Sequence, residues 1–377
     1  MAASRRARHS GTILSLALAA SVAHAQTDAA KSPDEIRLKD YRPRVLHKLP
    51  VTNVEKARHP VIDMHAHPRY AKTAAEIDRW VEVMDAVGVE KTILLTGASG
   101  AEFDRLVELY SRHKDRFELW CGFDYAGFDQ PGYGPAAVRE LERCFKKGAR
   151  GIGEEGDKGL GMQFGKAKGL HFDDARLAPL LERSGELGMP ISIHVADPIW
   201  MYQPMDETND GMMNAVKWRL DDKPGIVDHA GMVAVLERAV ARHPRTTFVA
   251  CHLVNLDYDL DQLGALFDRL PNLYADFAAR FAESAVIPRT AARFFARYGN
   301  RLVYGTDMGA SPDMYRLTFR ILETLDEHFY SDQFSYHWSY SGLGLEPELL
   351  ERLYRANALQ VRERAARNAT AARETAR

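Results

Sequence analysis

The sequence predicts a (β/α)8 TIM barrel with an N-terminal lead-in and a C-terminal helix. Three observations carry this expectation. Strand-like and helix-like segments alternate eight times along the chain. They do so within one continuous run of about 250 residues, the usual length of such a barrel. No Gly-rich phosphate fingerprint follows any of the strands, which disfavours the doubly wound open sheet that the same alternation would allow.

Taken in order, residues 1–25 read as a secretory signal peptide. Arg5, Arg6 and Arg8 precede a short apolar run, Ile13 to Ala20, and Ala23-His24-Ala25 offers a small-x-small cleavage site before Gln26. The run is far shorter than the roughly 18–20 apolar residues of a membrane anchor, so a periplasmic or secreted protein without an anchor is expected. Residues 26–57 form a polar, Pro-containing lead-in. Strands follow at 61–67, 91–96, 117–124, 150–154, 190–195, 246–253, 272–277 and 301–306. They are short, rich in Val, Ile, Leu, Phe and Tyr, and bounded by Gly, Pro or Asn. The stretches 74–87, 135–147 and 174–187 repeat apolar residues at three and four, the helical period. The barrel is assigned to 58–360, with a last helix from 348 that fades into a frayed tail over 361–377. Two longer excursions break the rhythm. One, 197–230, follows the fifth strand; the other, 329–346, carries Tyr336, Trp338 and Tyr340.

Composition narrows the function classes. With 377 residues and 46% hydrophobic side chains the chain can bury a large core and is not disordered. Its 50 Lys+Arg nearly balance 52 Asp+Glu, and three of those Arg lie in the signal peptide, leaving 47 against 52 and a net of −5 in the mature chain. No basic stretch lies near the candidate motifs, which argues against a nucleic-acid partner. Cys121, Cys144 and Cys251 are too few for a disulfide framework and read as buried thiols. Nothing sets the oligomeric state; a homo-oligomer is compatible with the sequence.

The 14 histidines matter through their placement. In a barrel of this kind reactive side chains sit at the C-terminal ends of strands, which converge on one face. Strand one ends in His65-Ala66-His67, and alternation puts both imidazoles on one side. Strand four ends in Glu154, followed by Glu155; strand five in His194, strand six in His252, strand eight in Asp307. Each alone has an ordinary reading as a core histidine, a loop carboxylate or a helix cap. Their coincidence at five strand ends points to a divalent metal site. Imidazole and carboxylate without thiolate suit zinc first, with manganese, nickel or iron(II) also compatible.

The motifs V-I-D-M-H-A-H (61–67), I-S-I-H (191–194), A-C-H (250–252), Y-G-T-D (304–307) and L-Y-R-A-N-A (353–358) resemble those of the amidohydrolase superfamily of metal-dependent hydrolases. The resemblance covers about 58–360 and is nearest the amidohydrolase-related branch that includes aminocarboxymuconate-semialdehyde decarboxylase-like enzymes. It implies His65, His67, His194 and Asp307 as metal ligands, with His252 polarising substrate or moving a proton. One departure stands out: strand four often carries a Lys in the superfamily, whereas this chain has Glu154. A Glu there is similar to TatD-like deoxyribonucleases, where it bridges two metals. One or two ions are therefore compatible, with Glu154 favoured over Glu155 as the ligand.

The leading expectation is hydrolysis of a small amide, ester or lactone by metal-activated water, with Asp307 and His252 as catalytic groups. The alternative is non-hydrolytic decarboxylation on the same site, with Arg280 as a candidate carboxylate binder. A TatD-like nuclease and a catalytically dead binding protein are lesser readings. Excursion 197–230 is expected to roof the pocket, with Trp200 and Tyr202 touching substrate. Segment 329–346 is expected to dock the tail helix rather than add a second wall.

Overall fold

The computed structural model describes residues 32–375. The expected signal peptide, 1–25, lies outside the described residues, as do 26–31 of the lead-in. Up to Tyr41 the described chain holds only two single 3-10 turns, Pro33–Glu35 and Leu38–Asp40. The remainder, from Arg42 onward, forms a second unit and carries everything that follows.

Eight parallel strands form the centre: β1 Val61–Ala66, β2 Val89–Leu95, β3 Phe117–Trp120, β4 Ile152–Asp157, β5 Ile191–Val195, β6 Phe248–Ala250, β7 Leu273–Asp276 and β8 Leu302–Val303. They pair in the orders β1-β2-β3 and β8-β7-β6-β5-β4. A parallel bridge between Cys121 and Ile152 joins β3 to β4. The ring closes where Met64 N–H donates to Tyr304 O at 2.9 Å. This is the (β/α)8 barrel that the alternation predicts. The strands are buried on both faces, which is why they read as continuous apolar runs. Ile62, Met64, Ile93, Leu95, Val249, Tyr274 and Val303 fill the lumen with Trp120.

The outer helices are α1 Ala74–Val87, α2 Gly100–Tyr110, α3 Tyr133–Lys147, α4 Ala178–Leu187, α5 His229–Arg242, α6 Leu260–Arg269, α7 Pro288–Tyr298 and α8 Pro312–Glu323. Helix α1 shows why these segments fold locally. Thr73 Oγ1 accepts Glu76 N–H, and Glu76 Oε2 accepts Thr73 N–H, a reciprocal capping box. The helix buries Ile77, Trp80, Met84 and Val87, each worth roughly 1.5–3 kcal/mol. It stops at Gly88, whose φ of 88° suits a residue without Cβ.

The tail departs from expectation. Helix α9, Asn357–Thr375, continues where fraying is predicted over 361–377. Its alanines are the reason: Ala358, Ala365 and Ala369 are buried, and their small size lets the helix lie close to the end of α4, beside Gly188. Ala358 and Val361 also pack with the lumen residues. Three strands end well before their predicted limits, at Trp120, Ala250 and Val303, because the chain turns into loops that carry the site. Among the described residues no helix is long and apolar enough to cross a membrane. All three cysteines are buried and unpaired.

Candidate metal centre and active site

The strand ends bring His65, His67, Glu154, His194, His252 and Asp307 into one cluster. Each of three imidazoles is fixed from behind by an acceptor. His65 Nδ1–H donates to Asp276 Oδ2 at 2.9 Å, His67 Nδ1–H to Leu95 O at 2.9 Å, and His252 Nδ1–H to Ala278 O at 2.8 Å. These bonds leave the Nε2 atoms to face the cluster. Glu154 Oε2 lies 3.3 Å from His67 Nε2 and 3.8 Å from His65 Nε2, while its Oε1 lies 3.7 Å from His252 Nε2. Asp307 Oδ1 lies 3.0 Å from His67 Nε2 and 3.9 Å from His65 Nε2, and its Oδ2 3.9 Å from His252 Nε2. His194 is held on both sides, by Glu154 Oε1 at 2.5 Å from Nδ1 and Asp197 Oδ1 at 3.0 Å from Nε2.

This donor set fits a divalent cation. The Nε2 atoms of His65 and His67 are buried and make no hydrogen bond despite the nearby carboxylate oxygens. Buried ring nitrogens without a partner are costly unless a cation meets them. The ligand atoms of His65, His252 and Asp307 lie within 4.8 Å of one another, as do those of Glu154, His194 and His252. His252 belongs to both groups, so the arrangement accommodates one ion or two.

The charges support each other. Burial disfavours an ionised Glu154, yet the surrounding His194, His252 and His65 hold its carboxyl well below the usual range. Asp307 is likewise pulled down against its burial by His65 and His67. Arg69 Nη2 and Tyr70 O–H also donate to Asp307 Oδ1, at 2.7 and 3.1 Å. Burial pushes His252 below its ordinary value, which keeps its Nε2 an acceptor.

Sequence reading missed the residues behind these imidazoles. Asp276, at the end of β7, accepts from His65 and also, through Oδ1, from the backbone N–H of His252 at 2.9 Å. Asp63 accepts from His65 N–H at 3.1 Å, Thr306 Oγ1–H at 2.7 Å and Tyr315 O–H at 3.1 Å, fastening β1 to the β8 loop. Both obey the same strand logic, and the carboxylates in VIDMH and LYADF are the signals that could have found them. Gly305 permits this close packing, since a Cβ there would sit 2.7 Å from His65 Cβ.

A bulge in β4 between Ile152 and Glu155 separates the two adjacent glutamates. Glu154 faces the cluster. Glu155 is buried beside it and accepts from Phe123 N–H at 2.8 Å and Tyr125 O–H at 2.5 Å. Left-handed backbone gathers on this face. Ala196, Ala279 and Asp307 have positive φ, and so do His252 to Asn255, four consecutive non-glycine residues. At roughly 1–2 kcal/mol per residue this is strain of the kind that marks functional loops.

Above the cluster lies a cavity of about 520 Å³. Excursion 197–230 does line it, through Asp197, Met201, Asn214 and Trp218. Trp200 and Tyr202, expected to touch substrate, do not line the cavity. Trp200 packs against Tyr336 and Trp338, and Tyr202 O–H donates to Lys158 O at 2.9 Å. Both aromatics hold the loop together. Segment 329–346 supplies a second wall through Gln333, Phe334, Ser335 and Tyr336, in place of the expected docking to the tail helix. Arg280 lines the cavity but is buried, with Nη1 donating to Ala279 O at 2.7 Å and Nη2 to Asn255 Oδ1.

The sequence model of the amidohydrolase family matches residues 62–361. No curated protein matches the chain. Among solved structures, 2,6-dihydroxybenzoate decarboxylase from Rhizobium is 15% identical, with a TM-score of 0.53 over 81% of this chain and 99% of that one. A dihydroxybenzoic acid decarboxylase from Polaromonas, with bound manganese and 2-nitroresorcinol, is 16% identical, with a TM-score of 0.52 over 81% and 97%. The 5-carboxyvanillate decarboxylase of Novosphingobium aromaticivorans, complexed with manganese, is 14% identical, with a TM-score of 0.50 over 83% and 100%. At these identities the likeness establishes the fold.

Proposed function

The chain belongs to the amidohydrolase family, and from that premise we propose that it is a divalent-metal-dependent decarboxylase of a small aromatic carboxylic acid. The observation that carries this reading is the histidine–carboxylate cluster, whose donor set fits a divalent cation and opens onto the cavity. The space above it has walls that include Phe164, Trp218 and Phe334, and its cations, Arg69, Lys158 and Arg280, each stand beside carboxylates: Asp307, Asp197, and Asp257 with Glu283. A flat ring suits those walls, and Arg69, the most exposed of the three cations, is the one open to a substrate carboxylate. The decarboxylases among the structural neighbours favour the same choice. Hydrolysis, the first expectation from the sequence, becomes the second reading.

His65, His67, Glu154, His194 and Asp307 would hold the ion, zinc or manganese, which when bound polarises substrate oxygen atoms as a Lewis acid. The reaction breaks the bond between ring carbon and carboxylate, leaves the electron pair on the ring carbon, and places a proton there. Asp307 is the group at the cluster positioned to carry that proton. His252 Nε2, with Nδ1–H committed to Ala278 O, accepts a hydrogen bond from a substrate hydroxyl. Arg69 draws the carboxylate toward the floor, and Phe164, Trp218 and Phe334 offer apolar surface to the ring.

The test is product analysis of protein loaded with Zn2+ or Mn2+ and offered hydroxylated benzoates in D2O. Carbon dioxide and a ring deuteron at the vacated carbon support the reading. Turnover of amides or lactones with water incorporation, and no carbon dioxide from any benzoate, would overturn it. The N-terminal 25 residues support a periplasmic or secreted location, checked by whether the mature protein begins at Gln26.

A further inference from the structure

One wall of the cavity holds charge that the reaction does not use. After β7 the chain passes through Arg280 into the short helix Phe281–Val286, and both Arg280 and Glu283 line the cavity. Glu283 is 4% exposed. Its Oε1 accepts Tyr336 O–H at 2.6 Å, while its Oε2 is buried with no donor. The nearest cation, Arg280 Nη1, stands 3.9 Å from Oε1. That guanidinium also serves Asp257, 3.5 Å from Nε, whose two oxygens have no hydrogen-bond partner either. Two buried carboxylates thus share one guanidinium, itself already donating to Asn255 and Ala279. A carboxylate oxygen left dry in a low-dielectric wall is destabilised, and a donor arriving with the ligand recovers that loss.

We propose that Glu283 is a specificity residue that requires a hydrogen-bond donor, a hydroxyl or amino group, on the substrate ring away from the carboxylate. The proposal rests on the reading of the site as one for aromatic carboxylates. Tyr336 fixes Oε1, so Oε2 is the atom left to receive the donor. Burial raises the Glu283 carboxyl above its ordinary range, consistent with an acceptor short of partners. A site built this way discriminates strongly against an analogue whose donor is replaced, because the carboxylate is then left unpaired.

The experiment uses metal-loaded protein and two matched pairs of probes: 3- and 4-hydroxybenzoate against 3- and 4-methoxybenzoate. Binding is measured by calorimetry and carbon dioxide release is measured separately. The expected result is at least one pair in which the hydroxy acid binds tenfold or more tightly than its ether. In Glu283→Leu that ratio falls to about one, while thermal unfolding reports an intact fold. If Glu283→Leu does not fold, Glu283→Gln is expected to keep part of the preference and lose the rest. Equal binding within both pairs, a preference that persists in both variants, or no binding of any probe would overturn the proposal. Donor preference lost with Glu283 but without carbon dioxide release from any substrate would refute the decarboxylase reading alone.

Discussion

Replacing Asp276 by Asn should loosen the metal site without unfolding the barrel. Asp276 holds three groups: His65 Nδ1–H at 2.9 Å on Oδ2, and the backbone N–H groups of His252 and Ala278 at 2.9 and 3.0 Å on Oδ1. In Asp276→Asn the remaining carbonyl can keep both backbone bonds. The new NH2 group then faces His65 Nδ1–H, donor against donor. His65 escapes by moving its proton to Nε2 or by turning, and either removes the lone pair that Nε2 presents to the cluster. Losing a hydrogen bond to a charged acceptor costs about 1.5–3 kcal/mol. Removing the partner behind a metal-binding histidine typically lowers metal affinity about 10–100-fold, or roughly 1.4–2.7 kcal/mol. The two routes agree. The expected result is a 10–100-fold weaker affinity for Zn2+ or Mn2+ in competition with a chromophoric chelator, and a loss of about 1.5–3 kcal/mol in metal-free stability by denaturant unfolding. Unchanged metal affinity in a folded Asp276→Asn protein would refute the argument that this carboxylate sets the His65 tautomer.

Asp307→Asn is expected to abolish turnover with circular dichroism unchanged; appreciable activity would remove Asp307 from the chemistry. Gly305→Ala forces a methyl to within 2.7 Å of His65 Cβ and should cost about 1–3 kcal/mol by thermal unfolding, with weaker metal binding. Glu140, on α3, does not line the cavity, and hydrogen bonds from Arg143 and from Gly100 N–H lower its carboxyl to about 2. A depressed carboxyl contributes stability that is complete above its unfolded value near 4.5 and is lost as pH falls through about 2. Glu140→Gln should therefore flatten the acid limb of stability between those values. Its cost above pH 4.5 should be about 2 kcal/mol, after allowing for screening at a partly exposed site. Urea titrations at several pH values would show this, and an unaltered acid limb would count against it.

Period and position made the barrel and its cluster legible. Val, Ile and Leu runs of strand length mark the eight strands, and alternation places His65 and His67 side by side. What lies beyond the strands follows other rules. Trp200 and Tyr202 sit in an irregular excursion, where no period says which way a side chain points, and each found a partner within the protein. The tail reads as frayed because Arg and Ala are common in unsupported helix ends. Its alanines in fact make the close approach to α4 possible. Asp276 escaped notice because its role depends on a histidine 211 residues away in sequence.

The seam between β1 and β8 also constrains how this chain is made. Asp63 meets Thr306 across 243 residues of sequence. On a ribosome adding about 5–20 residues each second, the free edge of β1 waits on the order of ten seconds or more for its partner. Until then an apolar strand with unpaired backbone groups is open to the wrong neighbour. The yield of soluble protein should thus depend on holdase supply and synthesis rate more than on the stability of the finished barrel.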